Sequence, residues 1–103
     1  MKIMRIQYTA SLAFAETNKK NIATVMSDLR VLNNPDIRYS SYIFEDGKTF
    51  MHFVVFKDEE ANKALGNLES FKKFQAELKA SGLEIPPKVE NLTLVGSSYN
   101  ILD

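Results

Sequence analysis

Ile37 to Phe56, IRYSSYIFEDGKTFMHFVVF, decides the fold of this chain. Two runs rich in aromatic and β-branched residues flank Glu45-Asp46-Gly47-Lys48, and Asp-Gly accepts the positive φ angles of a tight hairpin turn. Glu45 and Lys48 are expected to pair across that turn. With Asp46 and Gly47 as the loop, the register follows by counting. Ile43 then faces Phe50, Ser41 faces His52, Tyr39 faces Val54 and Ile37 faces Phe56. The other face carries Arg38, Ser40, Tyr42 and Phe44 against Val55, Phe53, Met51 and Thr49. A one-residue slip would exchange the two faces.

Upstream, residues 3–12 alternate apolar Met4, Ile6 and Tyr8 with Arg5, Gln7 and Thr9, the period of a strand with one face on a core. A helix follows, with Thr17 or Asn18 as cap and Ile22, Val25, Met26, Leu29 and Leu32 at helical spacing. Asn34-Pro35-Asp36 stops it. Downstream, residues 58–81 read as a second helix with the stripe Ala61, Ala64, Leu65, Leu68, Phe71, Phe74 and Leu78. Gly66 and Asn67 weaken its middle, so a break into two short helices near Asn67 fits the sequence. Gly82 ends the helix, Pro86-Pro87 imposes an extended connection, and Asn91 to Leu102 reads as the last strand, with Gly96 as a bulge. The order β-α-β-β-α-β over one domain, residues 1–103, predicts an α+β, ferredoxin-like chain. Its sheet would have four antiparallel strands with both helices on one face.

Two helices cover one side of such a sheet, yet the hairpin is apolar on both sides. The uncovered side would expose on the order of 600 Å² of large side chains, more than soluble monomers usually show. At ~25 cal/mol/Å² that is at most roughly 15 kcal/mol per subunit. The expected solution is a homodimer whose open faces meet as a dimeric α/β barrel. On the first strand, Met4, Ile6 and Tyr8 are expected under the helices, leaving Arg5, Gln7, Thr9 and Ser11 on the open side. On the hairpin, the face with Tyr39, Ser41, His52 and Phe56 is expected on that open side too. The barrel interior would then be apolar with a few convergent polar groups, the general description of a small-ligand site.

The stretch from Thr49 to Leu78, TFMHFVVFKDEEANKALGNLESFKKFQAEL, resembles the antibiotic-biosynthesis-monooxygenase family of dimeric α/β-barrel proteins. The matching features are a third strand ending in an aromatic (Phe56), an acidic, alanine-containing helix start and a later Phe71/Phe74 turn. The resemblance implies the barrel fold for the whole chain and several chemistries: cofactor-free oxidation of aromatic polyketides or quinols, haem degradation, or no known activity. The haem-degrading branch uses an Asn on the first strand, a Trp in the second helical region and a His beyond it. Those positions fall near Gln7, Leu65 and Gln75 here, which removes the indole and the axial ligand. The chain has no tryptophan.

Composition narrows the remainder. Thirteen basic residues balance thirteen acidic ones, and without a net positive charge the general attraction to nucleic acid or anionic membrane is absent. No cysteine is present, so disulfides, thiolate metal sites and a cysteine nucleophile are excluded. With one histidine, nothing pairs with His52 at ligand spacing, so neither metal nor cofactor is expected; nor is a membrane span, and the expected location is cytoplasmic. His52 reads as a general base for a phenol or enol, or as a histidine bonded to Ser41 or Tyr39. Tyr39 reads as a donor to a ligand oxygen, and Gln7, Thr9, Ser41, Phe50, Val54 and Phe56 as lining. Two functions stand side by side. One is binding of a small apolar or aromatic molecule in the barrel interior. The other is cofactor-independent oxygenation of a phenolic or quinone-like substrate with His52 as base.

Overall fold

In a computed structural model, which describes residues 1–102, the hairpin has the register that the turn dictates: Ile37↔Phe56, Tyr39↔Val54, Ser41↔His52 and Ile43↔Phe50. Strands β1 (Lys2–Thr9), β2 (Ile37–Ile43), β3 (Thr49–Phe56) and β4 (Ile85–Leu92) form one antiparallel sheet in the order β2-β3-β1-β4. Helix α1 (Leu12–Leu32) joins β1 to β2, while α2 (Glu59–Gly66) and α3 (Glu69–Ala80) join β3 to β4. This is the ferredoxin-like βαββαβ plan, with the second helical region divided where Gly66 and Asn67 interrupt it.

The turn reaches its register by a different route from a two-residue loop. The Phe44 amide bonds to the Thr49 carbonyl at 2.8 Å, and the Gly47 amide to the Phe44 carbonyl at 3.0 Å, with Gly47 at φ 76°. The Asp46 carboxylate accepts from the Lys48 and Thr49 amides and from the Thr49 hydroxyl. Those bonds hold the Asp46 carboxyl below its usual range, the Thr49 hydroxyl contributing most. Lys48 does not meet Glu45; its ammonium pairs with Glu84 at 2.7 Å, tying the turn to the approach of β4.

Three other expectations are corrected. The first strand ends at Thr9, and α1 starts after Ser11, whose hydroxyl accepts from the Phe14 amide at 3.2 Å. Thr17 and Asn18 therefore lie inside the helix, and Asn18 is wholly buried. The last strand is Ile85–Leu92 and not 91–102. Two prolines fit within it because β4 is an edge strand and its register with β1 shifts between Gln7 and Thr9, where ladder bonds lapse anyway.

The third correction concerns the faces. β1 pairs with β3 so that Met4 lies opposite Val54, Ile6 opposite His52 and Tyr8 opposite Phe50. Met4, Ile6, Tyr8, Tyr39, His52 and Phe56 therefore share one face, and it is the covered one. Phe50, Val54 and Phe56 pack with Val25 of α1, Leu65 of α2 and Phe74 and Leu78 of α3 in a single buried cluster. The opposite face instead carries Arg5, Gln7 and Thr9 of β1, Met51, Phe53 and Val55 of β3, and Tyr42 of β2, with Thr9 and Val55 buried within the single chain and the others more accessible. Among the described residues, no helix is long and apolar enough to cross a membrane.

Candidate functional site

Between the covered face of the sheet and helices α2 and α3 lies a pocket of about 640 Å³. That volume falls within the usual range of small-molecule sites. Ile6 and Val54 give it a floor from the sheet, Leu65 of α2 and Phe71 and Phe74 of α3 give it a roof, and Val89 of edge strand β4 stands at its side. Asn62, Gln75 and Lys79 add polar groups contributed by the helices. Helices α1 and α3 pack on each other, and α2 spans eight residues.

The polar part of the pocket is built around His52, which is 2% exposed. Its Nε2 lies 2.8 Å from the Tyr8 hydroxyl, and its Nδ1 lies 2.6 Å from Ser41 Oγ and 3.0 Å from the Tyr39 hydroxyl. The Asn18 amide nitrogen donates to the Tyr8 oxygen at 2.8 Å. Rings complete the cluster: Tyr8 stacks on His52 at 5.4 Å, while Tyr39 meets it edge-on at 5.7 Å. Phe74 tilts against it at 5.5 Å.

Burial sets the electrostatics. It pushes the His52 imidazole down to about 4, because no carboxylate stands by to stabilise the cation in this dry setting. Burial likewise raises both tyrosine phenols well above their ordinary value, against the opposing hydrogen bonds of Asn18 to Tyr8 and of Ser41 to Tyr39. At neutral pH the cluster is an uncharged set of donors and acceptors. Among the described residues, no group of three or more His, Asp or Glu side chains is arranged to hold a metal ion.

The sequence candidates divide between the two faces. His52, Tyr39, Val54 and Phe56 line the pocket. Ser41 bonds His52 from the wall of a separate groove between β2 and the end of α1. Phe50 stacks on Tyr8 at 5.6 Å as core, outside the pocket lining. Gln7 and Thr9 look the other way: the Gln7 side-chain oxygen accepts from Arg5, which also pairs with Glu90 at 2.7 Å, and Thr9 bonds Thr49 at 3.0 Å. Tyr8 and Asn18 were legible only as core and as a helix cap. Asn18 lies ten residues beyond Tyr8, and nothing but the fold shows that its amide turns inward.

No protein-family model and no curated protein sequence matches the chain. Solved structures do match. An antibiotic-biosynthesis-monooxygenase-type protein from Bacteroides thetaiotaomicron superposes with a TM-score of 0.82 at 11% identity, covering 97% of this chain and 94% of its own. One from Deinococcus radiodurans gives 0.72 at 15%, covering all of both chains. SnoaB, a cofactor-independent oxygenase from Streptomyces nogalater solved as a point variant, gives 0.63 at 14%, covering 96% and 97%. The chain thus has the ferredoxin-like fold of the antibiotic-biosynthesis-monooxygenase-like proteins. At these identities the likeness concerns the fold.

Proposed function

We propose that the protein binds a small apolar or aromatic molecule in the pocket between the sheet and helices α2 and α3, one in each protomer. The carrying observation is a largely apolar pocket of about 640 Å³ that ends on the Tyr39–His52 pair. This moves the site from the shared barrel interior, where the sequence had suggested it, to the inside of each subunit. We further propose that the protein is a homodimer joined through the open sheet face. Tyr42 is 53% exposed and Leu92 40% exposed there, beside half-buried Met51 and Phe53. Arg5 on the central strand β1 is matched by Glu90 and Gln7, so covering that pair leaves neither charge without a partner.

A second reading is cofactor-independent oxygenation of a phenolic or quinone-like substrate. It is favoured by the SnoaB-like fold; burial, which pushes the His52 imidazole down to about 4, makes it a weak base at neutral pH and weighs against it as the proton acceptor. Both ring nitrogens are engaged by protein hydroxyls, so a substrate would reach His52 through Tyr39.

The binding test uses 2-naphthol titrated into labelled protein and followed by NMR. Shifts are expected at His52, Tyr39 and Phe71, and a Val89→Trp variant, which plugs the pocket side from a 55% exposed position, should abolish them. Shifts centred on Gln7, Arg5 and Met51 would instead put the ligand against the open face. Under air, an oxidised naphthol mass in the same sample would favour the oxygenase reading.

A further inference from the structure

The buried cluster has a direction. An amide NH2 group has no lone pair to offer, so where the Asn18 nitrogen meets Tyr8 at 2.8 Å the phenol oxygen must accept. The Tyr8 proton then turns to its other neighbour, His52 Nε2, also at 2.8 Å. With Nε2 accepting, the neutral imidazole carries its proton on Nδ1. That N–H faces Ser41 Oγ and the Tyr39 oxygen, both of which accept. The Tyr39 hydroxyl, which lines the pocket, then keeps its own hydrogen for a further acceptor.

We propose that Asn18 is a positioning residue that polarises this network outward, so that Tyr39 meets a ligand as a hydrogen-bond donor and the pocket selects molecules with a carbonyl-type oxygen. The orientation of the amide carries the argument. Asn18 is wholly buried and its Oδ1 has no partner. Turning the amide round would give Oδ1 the Tyr8 proton but strand both N–H donors, and orphaned buried N–H groups are rarer than under-used carbonyl oxygens. The turned amide would also send the Tyr8 proton away from His52, move the imidazole proton to Nε2, and leave Nδ1 to take a proton from the Ser41 or Tyr39 hydroxyl. One side chain, which touches no ligand, thereby decides whether the imidazole gives a hydrogen bond to that pair of hydroxyls or takes one from it. The ligand half of the proposal rests on the pocket being a binding site; the proton order does not.

The protein has a single histidine, so its imidazole nitrogens give one unambiguous set of 15N signals. At pH 7 the expected pattern is protonated Nδ1 with Nε2 as acceptor; a protonated Nε2 would overturn the proposal. Asn18→Asp replaces a donor by an acceptor and should move the proton to Nε2, and an unchanged pattern would remove Asn18 from its role. If that variant does not fold, Asn18→Leu frees the Tyr8 hydroxyl, and a mixture of tautomers replaces the pure one; a pure Nδ1–H pattern there would count against the proposal. For the ligand half, 1-tetralone should lose roughly three- to tenfold in affinity on Tyr39→Phe or Asn18→Asp, the value of one neutral hydrogen bond. Tetralin, which lacks the oxygen, should not. Equal losses for both probes would overturn the donor role while leaving the pocket reading intact, whereas failure of both probes to bind the wild type would sink the pocket reading and its ligand half together, leaving the proton order to the 15N result.

Discussion

Replacing Phe56 by aspartate is expected to abolish cooperative folding, while the same change at Phe53, three residues earlier on β3, should leave a folded monomer. Phe56 is 2% exposed among side chains of the sheet and helices, and removing such a ring costs about 3–5 kcal/mol before any charge is added. An unpaired carboxylate there adds a further penalty that a domain of about 5–15 kcal/mol total stability does not survive. Phe53 points to the open face, where water can reach a carboxylate in the separated subunit. Urea unfolding and sedimentation read the pair together. A folded Phe56→Asp protein beside an unfolded Phe53→Asp protein would mean that the two faces of the hairpin had been assigned the wrong way round.

The second large effect is acid sensitivity traceable to one residue. His52 has a folded pKa of about 4, below the ordinary value of 6.5, so the unfolded chain binds a proton more readily than the folded one between these values. Its stabilising effect is complete above pH 6.5 and is lost as the pH falls toward 4. The linkage amounts to about 2 kcal/mol between pH 7 and pH 5, where ordinary carboxylates remain largely ionised. Wild-type stability measured by urea should decline over that window, and His52→Gln, though less stable at pH 7, should decline little. Parallel curves for the two proteins would show that His52 is not held neutral by burial.

How much of this was legible from the residues depends on what fixed each feature. The hairpin register was legible because Asp46-Gly47 permits few turns, even though the turn formed is wider and Lys48 turns to Glu84. The break at Gly66-Asn67 was legible for a similar reason: poor helix formers sit together in the middle of the run. The choice of face was not. β3 is apolar on both sides, with Phe50, Val54 and Phe56 against Met51, Phe53 and Val55, so hydrophobic pattern alone leaves the sheet free to turn over. What decides it is the pairing with β1, where Ile6 meets His52, and that pairing joins residues some 46 positions apart. The position of β4 was hidden by Pro86 and Pro87, which read as a connection unless the strand is known to lie at an edge.

The candidate site shows the same division. His52 and Tyr39 were visible as chemistry-bearing residues on one hairpin face, and Ser41 as a partner for His52. Tyr8 and Asn18 were not visible as partners, because the bonds from Asn18 to Tyr8 and from Tyr8 to His52 exist only once β1, β3 and α1 are assembled. The sequence places an imidazole in a sheet; the fold encloses it with hydroxyls on both nitrogens and so makes it a neutral link in a hydrogen-bonded chain.

Native mass spectrometry of the protein with saturating 2-naphthol tests the central claim most directly, because it counts subunits and ligands at once. A pocket inside each subunit of a face-to-face dimer predicts a dimer carrying two naphthol molecules. A dimer carrying one would put the ligand in a shared interior, and a ligand-free monomer would contradict both the covered open face and the pocket.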